Sequence, residues 1–110
     1  MNPRRVHELM REHFPDFDAA ACNWVVAVDE GGLRPVVFRE LLAVHVPGSD
    51  LLVEVHRKVG SLLARKDVEA FVAKHLGQGH IRIADREFNG FVVVAASGVA
   101  TAWSLPIRSG

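Results

Sequence analysis

The sequence predicts an α+β fold: a predominantly antiparallel sheet with helices on one face. The sheet ends in a C-terminal three-stranded meander, about residues 80–85, 91–96 and 99–104, packed against helices at about 3–14 and 67–76. Three observations lead there. The twenty residues from Phe88 to Ile107 carry no charge, yet only thirteen of them are apolar, and Asn89-Gly90 and Ser97-Gly98 interrupt the run with turn dipeptides. A spanning helix needs about 20 predominantly apolar residues, so this stretch reads as strands joined by hairpins. Finally, two segments repeat apolar residues at helical spacing, one before and one just ahead of this region.

Taken in order, Asn2 is placed to cap a first helix with Pro3 at its opening position. Val6, Leu9, Met10, His13 and Phe14 form one stripe along it, and Pro15 ends it. Residues 24–28 fit a strand. Residues 36–45 fit a helix opened by Pro35 better than they fit alternation, and 51–57 fit both, so the number of strands before residue 58 stays open. Val68, Phe71, Val72, His75 and Leu76 make a later helical stripe, with Asp67 near its start and Gly77 just past its end. "HIRIAD" alternates, "FVVVAA" is rich in β-branched residues, and "VATAWS" has strand length.

A two-residue turn at Ser97-Gly98 would pair Ala96 with Val99, Val94 with Thr101 and Val92 with Trp103. A four-residue loop from Glu87 to Gly90 would set Ile83 opposite Val94. The expected core face is then Ile81, Ile83, Val92, Val94, Ala96, Val99, Thr101 and Trp103, with Trp103 against Val68, Phe71 and Val72. The opposite face would carry His80, Arg82 and Ala84 beside Phe91, Val93, Ala95, Ala100 and Ala102. Those last five form an apolar strip, expected either to be a contact surface with another molecule or to be covered by an N-terminal strand pair or helix of the same domain.

At 110 residues the chain is read as one domain, 1–110. Thirteen basic and thirteen acidic side chains cancel, so no global field attracts nucleic acid or an anionic membrane. The helix over 67–76 also opens on Asp67 and Glu69, unsuited to a DNA groove. Single Cys22 excludes an internal disulfide and fits a reducing, cytoplasmic setting. "MNPRRVHELMREHF" lacks the apolar core of a secretory signal. Ten Arg to three Lys, with no Tyr, is the usage of a GC-rich bacterial gene.

No motif of catalysis stands out. The six histidines, His7, His13, His45, His56, His75 and His80, show no zinc-ligand spacing, so no metal site is expected. Cys22 has no basic neighbour in sequence to activate it. Ser61 lacks an elbow motif, and Gly77-Gln78-Gly79 follows a helix instead of opening one, so no nucleotide loop or other cofactor is expected. Asp16 and Asp18 read as turn and capping groups, and Asp85 and Glu87 as solvated turn residues.

Two functional expectations follow. The first is a non-catalytic protein-interaction module, adaptor-, chaperone- or immunity-like, using Phe91, Val93, Ala95, Ala100 and Ala102 against a second copy or another protein. The alternative is a small-molecule binder or unrecognised enzyme. Its pocket would lie between sheet and helices near Trp24 and Trp103, with polar groups such as Asn23, His56 or His75.

Overall fold

The computed structural model describes residues 1–105, so the C-terminal end of the uncharged run lies outside the described residues. Helix α1 (Pro3–His13) is capped as expected, the Asn2 side chain accepting from Arg5 N–H. A 3-10 turn at Ala19–Ala21 follows, capped by Asp18. Next come β1 (Val25–Val26) and a small hairpin of β2 (Val28–Asp29) and β3 (Gly32–Leu33). Pro35 opens α2 (Pro35–His45). Beyond it lie β4 (Asp50–His56), β5 (Val59–Ala64) and α3 (Arg65–Lys74). The chain then forms the meander β6 (Ile81–Asp85), β7 (Gly90–Val94) and β8 (Val99–Ser104).

Residues 51–57, which suit either state in sequence, are strand. A helix there would strand the apolar residues on the far side of its stripe, whereas β4 is covered on both sides: Leu51 and Val53 face one layer and Leu52 the other. The main sheet has the order β1-β8-β7-β6-β4-β5, with every neighbouring pair antiparallel.

Helices cover both faces of this sheet, not one. α2 and α3 lie over Leu51, Val53, Ile81, Ile83, Val92, Val94 and Ala100. α1 lies over the other face, where Val6 and Met10 meet Leu52, Ala84, Phe88 and Phe91. Two apolar faces require two covers, since a six-stranded sheet with one dry face in water would expose a large apolar patch.

The meander register departs from the expectation in one place that matters. Ala95 N–H donates to Val99 O at 2.8 Å and Gly98 N–H to Ala95 O at 2.9 Å, so the turn holds three residues, Ala96 to Gly98. Gly98 takes the left-handed conformation such a turn needs (φ 96°). Val92 therefore pairs with Ala102, Val93 with Thr101 and Phe91 with Trp103. A one-residue slip exchanges the faces of β8. Thr101 and Trp103 join Phe91 on the α1 face, and Ala100 and Ala102 turn toward α2 and α3. Trp103 thus packs on Phe14, Phe17 and Phe91, not on Val68, Phe71 and Val72, and Ala96 is exposed in the turn. On the β6 side Ile81 pairs with Val94 and Ile83 with Val92. That differs from the expected pairing by two residues, which leaves the faces unchanged.

The β6–β7 turn is also built differently. The residue with positive φ is Phe88, at 57°, and Gly90 is the first residue of β7. Gly90 serves for close approach: a Cβ there would lie 1.8 Å from the His45 carbonyl oxygen at the end of α2. Asp85 is buried instead of solvated, its carboxylate accepting from Asn89 N–H at 2.7 Å and Gly90 N–H at 2.8 Å.

Two side-chain clamps fix the helices. The Arg65 guanidinium donates to the carbonyls of Leu42 and Val46 at 2.8–2.9 Å, placing a cation on the C-terminus of α2. Arg39 on α2 forks onto Glu69 of α3 at 2.6 and 3.0 Å. Those hydrogen bonds hold the Glu69 carboxyl below its ordinary value.

Candidate functional site

α1 covers the β4–β5 end of its face and leaves the β7–β8 end to the irregular segment that follows it. Trp24 folds this segment back on itself by donating from Nε1 to Ala19 O at 2.8 Å. Between segment and sheet lies an open groove of about 630 Å³. Its floor is Val93, Ala95 and Val99, one wall is Phe17, Ala19 and Trp24, and its remaining edge carries His80, Arg82 and Ser97.

Strand register explains this assembly. Glu54, Arg82, Val93 and Thr101 are cross-strand neighbours in one row over β4, β6, β7 and β8. Glu54 is only 2% exposed. Burying a carboxylate is costly unless it is paired, and Glu54 is paired on both oxygens. His7 Nδ1, from α1, donates to one at 2.8 Å, and Arg82 Nη2 donates to the other. The Arg82 guanidinium also lies over the Phe14 ring, 5.4 Å from its centroid. His80 Nδ1 accepts from Ala96 N–H at 3.2 Å, which leaves the neutral ring's proton on Nε2.

The strip expected as a contact surface does not form one face. Phe91 is buried beneath α1, and Ala100 is buried on the α2–α3 side with Ala102 packed beside it. Val93 and Ala95 are the two members that the structure brings together, in the groove floor. Of the pocket residues expected near the tryptophans, Trp24 lines the groove. Asn23 and Trp103 instead border an adjoining cleft of about 300 Å³ shared with Phe17 and half-buried Cys22. His56 accepts from Lys58 N–H in the β4–β5 hairpin, and His75 lies tilted against Phe71 at the end of α3, ring centroids 4.6 Å apart.

Sequence reasoning passed over Glu54, Arg82 and His7. A signal was present in "LLVEVHR" and "HIRIAD": each sets one charged residue mid-strand among apolar ones. Their pairing joins elements too far apart in sequence to be read from local pattern.

Among the described residues, no group of three or more His, Cys, Asp or Glu side chains is placed to hold a metal ion. Likewise, no helix there is long and apolar enough to cross a membrane. Comparison with known proteins finds no matching family model, curated protein or solved structure.

Proposed function

We propose that this chain is a non-catalytic binding module whose groove takes a small apolar molecule. The observation that carries this reading is the concave, apolar groove over Ala95 and Val99, with buried Val93 at its base, on a face that is otherwise filled. Its volume falls within the roughly 300–1,000 Å³ range of ligand sites. Trp24 and Phe17 supply aromatic walls, and few polar groups converge on it. Titration of isotopically labelled protein with 2-naphthalenemethanol tests the reading. Amide shifts should cluster at Val93, Ala95 and Val99 and vanish in Ala95→Phe, which fills the floor. Shifts that are absent, or spread evenly over the surface, would overturn it.

A different surface favours self-association as a second reading. Val44 of α2, 65% exposed, lines one surface with the exposed Val25 and Val26 of β1, and Val36, 74% exposed, lies about two turns earlier on the same helix. Arg34 donates to Val26 O at 3.3 Å, which blunts that sheet edge against a further strand and leaves side chains to make the contact. Arg34 and Glu40 border the same surface, and a two-fold axis can set such opposite charges against each other. The occupant of this surface is then a second copy of the chain. Sedimentation should show a dimer that Val36→Asp/Val44→Asp returns to monomer. A wild type monomeric up to millimolar concentration removes this reading.

A further inference from the structure

Resting on the groove reading above, we infer that the ligand is an apolar monocarboxylate, with Arg82 as the residue that receives its carboxylate. The groove presents donors and no acidic side chain: the Arg82 guanidinium, the Nε2–H of His80 and the Ser97 hydroxyl stand along an otherwise apolar lining.

Arg82 is held as a recognition arginine is. Glu54, 2% exposed, takes one N–H of the guanidinium, and the Phe14 ring supports its face. His7 fixes the second oxygen of Glu54 from α1, so the carboxylate cannot swing away. A guanidinium carries five N–H donors in a planar fork. Among the described residues only Nη2 has a hydrogen-bonded side-chain partner, and the side chain stays 31% exposed at the groove. An ion pair serving the fold alone gains little over apolar side chains of the same volume. A buried carboxylate that orients an arginine while leaving most of its donors at an apolar groove matches bidentate carboxylate recognition. Glu54 already offsets the Arg82 charge, so what the groove offers a carboxylate is the remaining N–H donors of the guanidinium. A phosphate dianion would call for further cations or a cradle of backbone N–H groups, and the groove supplies neither.

The test compares 2-naphthoate with 2-naphthalenemethanol, probes of similar ring and size, by amide-shift titration, with 2-naphthyl phosphate as a third arm. Wild type should bind naphthoate at least about tenfold more tightly than the alcohol, the factor a charge-assisted hydrogen bond supplies. Arg82→Gln alone would leave Glu54 buried against a neutral partner, so the deciding variant is Glu54→Gln/Arg82→Gln, with circular dichroism as the folding control. It should bind both probes alike, at the level of the alcohol. Equal binding of both by wild type overturns the carboxylate inference and leaves the apolar groove standing. Binding of neither overturns both. A naphthoate preference that survives in the double variant removes Arg82 from the role, and tighter binding of the phosphate than of naphthoate replaces the carboxylate with a different anion.

Discussion

Gly90→Ala is expected to destabilise the protein by about 3 kcal/mol or more, the upper end for overpacking a filled interior. The added Cβ would meet the His45 carbonyl oxygen at 1.8 Å, its carbon at 2.8 Å and Val46 Cα at 3.0 Å. All three are main-chain atoms, so no side chain can rotate out of the way. Relief requires the end of α2 to lift from β7. That end is pinned by the Arg65 hydrogen bonds to Leu42 and Val46, and Val46 itself is buried. Urea titration gives the value directly. A loss below about 1 kcal/mol, under the overpacking range, would mean that α2 does not end against β7.

Phe91→Ala follows, at about 3–5 kcal/mol, the range for a large aromatic truncated in a core. Phe91 is fully buried and stands at the centre of an aromatic cluster, 5.1 Å from Phe14 and 5.3 Å from Trp103 between ring centroids. Denaturant titration with near-ultraviolet circular dichroism reads both the energy and the loss of asymmetric packing around Trp103. The energy also decides whether this face of β7 is covered by α1. With Phe91 on an uncovered face, the same substitution would fall within about half a kcal/mol, as surface changes do.

Why the sequence alone misplaces Trp103 can be stated in terms of β7. Val92 and Val94 on one side and Phe91 and Val93 on the other are equally apolar, so alternation offers no reason to prefer either pairing of β8. Ser97-Gly98 suits a two-residue turn as well as a three-residue one, because a glycine in the left-handed region serves both. α1 and α3 were legible to within two residues at each end, since caps and stripes are local, whereas the α2 stretch fitted helix better than strand without deciding it. The shared face of Ile81, Ile83, Val92 and Val94 was legible too. The second helical layer was not, because the stripe of α1 says that it covers something without saying what. The groove was legible only in fragments: Trp24 stood out as a pocket residue, and Val93 and Ala95 as unusually apolar. Their meeting with Arg82 and Glu54 depends on strand order, and no periodicity encodes strand order.

The pairing of β1 with β8 places the groove wall at the weak end of the fold. Val25 and Val26 find their sheet partners only in Ala100 and Val99, and the segment bearing Phe17 and Trp24 runs directly into that two-residue strand. Two paired residues between distant parts of the chain reward a long loop closure with few contacts. A unit tied by so few contacts belongs to the low-stability end of a fold, where local opening costs least. Trp24, Val93 and Val99 line the same groove, so fraying of β1 would also open the groove wall. Any molecule held in the groove draws that wall toward the closed form by mass action. A ligand of the kind proposed would then stand in for the missing length of strand and bias the segment bearing Phe17 and Trp24 toward its folded form.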